Sequence, residues 1–268
     1  RRLDLPGIDL DGVYTLRTIA DVDKIRIDME SASRMVIVGG GYIGLEVAAV
    51  TTATPVQVTI LEMEERILER VTHPFMSMFY HELHNARGVD IRTRARASAF
   101  VGNGRVTQVL CEDGTTVDAD LVIVGVGVVP NVEIASDAGL TCNNGIVVDE
   151  RCVTSDPSIF ALGEITEFEN ALYGITSAAE QQADVAANYI LGDLGSIYGG
   201  SVLMNILKFE NLDLCSIGMV NAPKDDPSYE EILLMDVSKR FYKKCIVKDD
   251  TLKGAILMGE TPEFAEVK

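Results

Sequence analysis

Short apolar runs recur along this chain, and several of them end in glycine or an acid. Met35-Val-Ile-Val38 runs into Gly39, Val56-Gln-Val-Thr-Ile-Leu61 into Glu62, and Asp120-Leu-Val-Ile-Val124 into Gly125-Val-Gly127. Runs this short and this rich in β-branched residues predict strands buried on both faces, as in a parallel sheet. Helical patterns stand between them. Ile19, Val22, Ile25 and Ile27 mark a helix over Thr18–Met29, and Leu45, Val47, Ala48 and Ala49 mark one after the first glycines. Thr72–Ala86 reads as a third, with Pro74 suited to its first turn.

Residues 89–117 change period. Val89–Thr93, Ala97–Val101, Val106–Cys111 and Thr115–Val117 read as short strands, and Asn103-Gly104 and Asp113-Gly114 are hairpin turn signals. A small antiparallel sheet inserted into an α/β domain is expected. Beyond the Val129-Pro-Asn131 break, Gly145–Asp149 and Ile159–Gly163 read as short strands. An amphipathic helix then runs from about Ser177 to Leu191 and stops at Gly192. From residue 201 on, strand-like runs (Ile232–Met235, Tyr242–Val247, Gly254–Met258) joined by Asp, Pro and Gly turns suggest a separate α+β domain.

The chemistry begins at the first glycine turn. Gly39, Gly41 and Gly44, with Gly40, Tyr42 and Ile43 between them, stand in the G-x-G-x-x-G pattern between a strand and a helix. That arrangement holds a dinucleotide pyrophosphate: Gly39 allows the tight turn, Gly41 lets the backbone approach the phosphates, and Gly44 lets helix and strand pack closely. The helix N-terminus offers free N–H groups and partial positive charge to the anion. Glu62, 18 residues beyond Gly44, ends the next strand, where an acid can accept hydrogen bonds from both ribose hydroxyls. It would repel a 2′-phosphate. Met63, Glu64 and Glu65 offer no cation and Arg66 is the only nearby candidate, so NAD(H) is favoured over NADP(H).

Composition narrows the field. The chain has 268 residues, 47% of them hydrophobic, and no apolar run approaches the ~18 residues of a membrane span. A net charge of −18 argues against nucleic-acid partners and anionic membranes. The charge is uneven, since residues 129–195 carry eleven acids and the single base Arg151. Five cysteines, at 111, 142, 152, 215 and 245, form no C-x-x-C or C-x₄-C pair. That spacing argues against a zinc or iron–sulfur site, so no metal is expected, and it fits reduced thiols in a cytoplasmic protein. His81 and His84 have no third ligand nearby in sequence and read as surface or packing residues.

Further segments carry a resemblance: Leu5-Pro-Gly-Ile-Asp9, Leu16-Arg-Thr-Ile-Ala-Asp21, Thr72-His-Pro-Phe-Met-Ser-Met-Phe-Tyr80, Gly125-Val-Gly-Val-Val-Pro-Asn131 and Thr154-Ser-Asp-Pro-Ser-Ile-Phe-Ala-Leu-Gly-Glu164. With the glycine turn, they make the chain resemble the FAD-dependent pyridine nucleotide oxidoreductases, and residues 1–170 the NADH-dependent ferredoxin and rubredoxin reductases. Gly199-Gly-Ser-Val-Leu-Met-Asn-Ile-Leu-Lys208, Leu214-Cys-Ser-Ile-Gly218 and Arg240-Phe-Tyr-Lys-Lys244 instead resemble the reductase module of nitrite-reductase large subunits, a mixture that reads as a natural mosaic or a chimera. The resemblance implies an α/β fold in which a Rossmann-like NAD domain (13–128) is inserted in a FAD-binding domain (1–12 and 129–195), followed by a C-terminal α+β domain (196–268). The family's first FAD segment, roughly a hundred residues, is absent. The FAD domain is therefore incomplete at its N-terminus, as in a fragment, a processed chain or one half of a two-chain flavoprotein.

The implied cofactors are FAD and NAD. NADH would bind on Gly39–Gly44 and Glu62, and Glu46, one turn into the helix, would orient the nicotinamide carboxamide; its bland alternative is an exposed helix glutamate. Gly125, Val126 and Gly127 match the stretch where the chain returns to FAD. Gly163 and Glu164, in place of the family's usual Asp, would meet the ribityl chain, and the helix start at Thr176 and Ser177 would face the flavin. Electrons would pass to a small iron–sulfur or rubredoxin-type carrier. Lys239, Arg240, Lys243 and Lys244 form either a docking patch or a solvated strand face, and the C-terminal domain leaves room for a homodimer. The competing readings are an NAD(H)-binding module without catalysis, a nitrite-reductase-type subunit, and a disulfide or peroxide reductase.

Overall fold

The computed structural model describes residues 3–69, 72–207, 212–223, 225–236 and 239–259, so Lys208 lies outside the described residues. They divide into two compact units, residues 1–127 with 206–268, and residues 128–205.

The first unit opens with β1 (Val13–Thr15), α1 (Ile19–Met29), β2 (Arg34–Val38), α2 (Tyr42–Thr51), β3 (Gln57–Leu61), α3 (Pro74–Asn85) and β4 (Asp90–Arg92). An antiparallel insertion follows, β5 (Ala97–Asn103), β6 (Arg105–Cys111) and β7 (Thr116–Asp118), and then β8 (Leu121–Val124). Strands β1-β8-β2-β3-β4 form one parallel sheet, and β5-β6-β7 a separate sheet. The apolar runs become strands because they are covered on both sides: Val36, Ile37, Ile60, Leu121 and Val122 are each at most 1% exposed. Fully burying such a side chain contributes about 1.5–3 kcal/mol. Helix starts follow local chemistry. Thr18 and Asp21 form a capping box on α1, and the His73 ring accepts from the Phe75 N–H ahead of Pro74 on α3. Residues 3–12, read from the sequence with the FAD-binding portion, pack here through Leu3, Leu5, Ile8 and Leu10 against the core shared with β5–β7.

The second unit contains α4 (Glu133–Asp137), β9 (Ile146–Val147), β10 (Thr166–Glu167) and α5 (Thr176–Ile190). The strand expected at Ile159–Gly163 does not form. That segment makes only an isolated bridge, Val153 to Phe160, because the parallel partner of β9 is β10. Glu167, 3% exposed, accepts from the Asn144 and Gly145 N–H groups and anchors the loop before β9.

β11 (Met204–Leu207), β12 (Leu214–Gly218), β13 (Tyr229–Asp236), β14 (Phe241–Lys248) and β15 (Thr251–Met258) build an antiparallel sheet in the order β11-β12-β15-β14-β13. Among the described residues, the expected α+β segment is strand only. One face joins the dinucleotide-domain core: Tyr242 stacks on Phe75 with ring centroids 5.5 Å apart, and the Tyr80 hydroxyl donates to the Leu212 carbonyl at 3.2 Å. The four clustered bases separate. Lys244 points inward, 2% exposed, and pairs with Glu231 at 2.7 Å, while Lys243 faces the other way and Lys239 pairs with Asp236. A single four-base patch therefore does not exist, because strand alternation splits it.

Candidate functional site

The C-terminal ends of β2, β3 and β8 carry the glycine turn, Glu62 and Gly125 to one edge of the parallel sheet. Ligands of such sheets bind outside the carboxyl ends of the strands. Each glycine has its own reason. Gly39 takes φ +111, and a Cβ there would stand 2.4 Å from the Gly125 carbonyl oxygen. A Cβ on Gly44 would stand 2.1 Å from the Gly39 carbonyl oxygen, which is the close helix–strand approach. A Cβ on Gly40 would meet Ile67 at 2.7 Å and Glu62 at 3.1 Å. Gly41 alone of these four has nothing within 4 Å of such a Cβ, so open space lies before it. It is the N-cap of α2 and makes no side-chain cap bond, which leaves the first helical N–H groups for a ligand.

Glu62 is 9% exposed. One carboxylate oxygen accepts from the Gly40 N–H at 2.7 Å and the other from the Glu64 N–H at 2.8 Å. The acid thus ties the glycine turn to the loop after β3. The Tyr42 side chain turns inward to the core, where its hydroxyl is buried near Ser216 and Cys215 of β12; burial raises its pKa. What Tyr42 offers a ligand is its backbone N–H. Ile43 and Glu46 are exposed on α2, one turn apart, and Val50 continues that face at 73% exposure. Val126 packs against the core behind β8, and Gly127 is exposed with φ +92.

Arg66, the cation weighed against the 2′-position, is fully engaged elsewhere. It bonds the Thr72 and Glu69 carbonyls, Ser77 Oγ at 2.7 Å, and the Glu69 carboxylate at 3.2 Å. Sequence reading missed two other guanidiniums, those of Arg94 and Arg96. The Arg94 N–H donates to the Glu64 carbonyl and the Ala95 N–H to the Glu62 carbonyl, both at 2.9 Å. The right-handed crossover rule, applied to the expected strand at 89–93, places its end beside Glu62 and was the available signal.

In the second unit, Gly163 sits at φ +89 beside the first turns of α5, where an added Cβ would lie 3.8 Å from Ala179. Its N–H donates to Gln182 Oε1 at 2.7 Å, and Gln182 is fully buried. Gln182 is a further residue the sequence did not single out. Ile175 is the N-cap of α5, without a side-chain cap bond, and no acid stands in the first turn. Glu164 and Thr176 are exposed and Ser177 half-buried. An uncapped helix start beside a left-handed glycine and an exposed carboxylate fits the polar edge and hydroxyl chain of a flavin.

All five cysteines are free, and Cys111, Cys152 and Cys215 are buried. Burial, with Asp149 nearby, pushes the Cys152 thiol up to about 11. Among the described residues no cluster of His, Cys, Asp or Glu could hold a metal, and no helix is long and apolar enough to cross a membrane.

The parallel sheet, its glycine turn and the acid on the neighbouring strand define a dinucleotide-binding protein. Residues 1–186 match the pyridine nucleotide-disulphide oxidoreductase family, and residues 204–268 match the rubredoxin NAD+ reductase C-terminal domain. The chain belongs to the pyridine nucleotide-disulphide oxidoreductase family. It is 47% identical to a putidaredoxin reductase of Pseudomonas putida over 182 residues, 64% of this chain and 43% of that one. It is 29% identical to a nitrite reductase [NAD(P)H] of Bacillus subtilis over 97% of this chain and 32% of that one. The ferredoxin reductase for the CYP199A2 system of Rhodopseudomonas palustris superposes with a TM-score of 0.89 at 31% identity, covering 99% of this chain and 66% of that one. The chain thus spans less than half the length of these two curated relatives. The alignment with the nitrite reductase takes in 97% of this chain, and so both the reductase-like and the C-terminal segments.

Proposed function

We propose that this chain binds NADH on the Gly39–Gly44 turn and works with FAD as an NADH-dependent reductase of a small iron–sulfur or rubredoxin-type carrier. The observation that carries the reading is the open space before Gly41, bounded by the start of α2 and backed by the buried carboxylate of Glu62. Bare N–H groups at a helix start meet the pyrophosphate, and the carboxylate takes the adenosine ribose. Glu46 orients the nicotinamide carboxamide from the exposed face of α2. Gly125, Val126 and Gly127 carry the chain out of the NAD-binding part. Gly163 and Glu164 meet the ribityl chain, and the N–H groups of Thr176 and Ser177 meet the flavin edge, where fixed dipoles stabilise the negative charge of reduction. When bound, FAD supplies the conversion of a two-electron hydride into single electrons.

Domain roles follow the same reading: residues 1–12 and 129–195 serve FAD, residues 13–128 serve NAD, and residues 196–268 form an interface domain with room for a second copy. The names of the relatives support a small redox partner, and reduced, scattered thiols support a cytoplasmic setting. The test is anaerobic mixing of the purified chain, supplied with FAD, with NADH and then with oxidised ferredoxin. Bleaching of the flavin bands by NADH and their return with ferredoxin supports the reading. Unchanged bands with FAD bound contradict it.

A disulfide-reductase role has less support, since Cys152 is buried with a raised pKa, opposite to what a thiolate nucleophile needs.

A further inference from the structure

The coenzyme's 2′-position meets more charge than the residues after Glu62 suggest. β4 lies parallel to β3, with Arg92 opposite Leu61, so the chain leaving β4 runs along the loop that follows Glu62. Arg94 takes φ +55, and its side chain pairs with Glu65 at 2.8 Å; the two side chains are 73% and 74% exposed. Arg96 lies 3.7 Å from the Met63 sulfur and 3.7 Å from a Glu112 oxygen, itself half exposed. Arg92 is engaged by Asp90, and Arg66 is locked by Glu69 and Ser77. Two cations with loose partners therefore stand beside Met63 and Glu65, immediately after the ribose acid.

Exposed pairs of this kind contribute little and exchange partners readily. A phosphomonoester, carrying more charge than a carboxylate and matching the guanidinium fork, is the better partner for both arginines. What opposes it is the carboxylate pair, Glu62 at the ribose and Glu65 on Arg94.

Resting on the coenzyme reading above, we propose that Arg94 and Arg96 form a masked subsite for the 2′-phosphate of NADPH. Glu65, paired with Arg94, and Glu62, at the ribose, keep it closed. Selectivity for NADH here comes from acids beside a cationic pair, not from a lack of cations.

The experiment is calorimetric titration of NADPH, NADH and the fragment 2′,5′-ADP into the whole chain and four variants. Glu65→Gln exchanges a highly exposed residue and leaves the fold intact; it should tighten NADPH and 2′,5′-ADP about fivefold, the upper range of one exposed ion pair, with NADH unchanged. Glu62→Gln/Glu65→Gln, which keeps an acceptor for the Gly40 N–H, should tighten NADPH on the order of thirtyfold, as a buried like charge is also removed. Adding Arg94→Ala and Arg96→Ala to that variant should remove the part of the gain that the arginines supply, about fivefold or more, and that part should fade at high salt. Glu65→Gln/Arg94→Ala should show no gain. Unchanged NADPH affinity in both acid variants, or a gain that survives undiminished after loss of both arginines, overturns the proposal. A folded wild-type chain that binds NADH no better than buffer overturns the coenzyme reading itself.

Discussion

The Glu62 carboxylate holds the Gly40 N–H at 2.7 Å, 22 residues away in sequence. One side chain thereby fixes the glycine turn on β2 to the end of β3. A group positioned for a ribose hydroxyl is also a strut of the pyrophosphate turn. Its removal should therefore act on more than one part of the ligand.

Glu62→Ala should weaken NADH and narrow its advantage over NADPH by about 1–3 kcal/mol, the scale of a charged hydrogen bond. Binding isotherms for both coenzymes check this. Glu62→Gln should keep part of the turn, since its amide oxygen still accepts from the Gly40 N–H.

The glycines separate structure from binding. Gly41→Val should abolish NADH binding while thermal stability stays near wild type, because a side chain there enters open space. Gly44→Ala should lose several kcal/mol of stability, since its Cβ would stand 2.1 Å from the Gly39 oxygen and overpacking against backbone cannot be relieved cheaply. Thermal melts and NADH titration of the two variants make the comparison.

His84 on α3 is fully buried, and desolvation, with Arg87 and His81 adding, pushes its pKa down to about 4. The folded chain therefore holds it neutral, and its unfolded value is near 6.5. Stability from this group is complete above that value and drains as pH falls from about 6.5 to 4. A shift of this size corresponds to about 3 kcal/mol. His84→Gln should flatten the fall in melting temperature between pH 7 and 5; an unchanged fall would remove His84 as its cause.

Gln182→Leu should cost about 1–3 kcal/mol by leaving the Gly163 N–H without its acceptor. If Gly163 and α5 serve the flavin, FAD affinity should fall with it while NADH binding does not. Equilibrium dialysis of FAD and calorimetry of NADH tell the two effects apart.

The dinucleotide part was the most legible in sequence, for a physical reason. β2, α2 and β3 are each specified by local apolar pattern and by the glycines 39, 40 and 44, which have no room for a side chain, and Thr18 and Pro74 punctuate the helices where expected. Legibility failed where non-local pairing decides. Ile159–Gly163 has strand-like composition, but β10 takes the place beside β9. The four bases of 239–244 fall within six residues, yet alternation along β14 buries Lys244 on Glu231. Arg94 and Arg96 lie about thirty residues from Glu62 and reach its loop only through the β3–β4 register, so a scan for cations after the ribose acid stops at Arg66.

The most direct measurement of the central claim is calorimetric titration of NADH and NADPH into the purified 268-residue chain. The account predicts one NADH bound per chain, more tightly than NADPH, and lost in Gly41→Val. NADPH binding more tightly than NADH, or NADH affinity unchanged in a folded Gly41→Val chain, would contradict it.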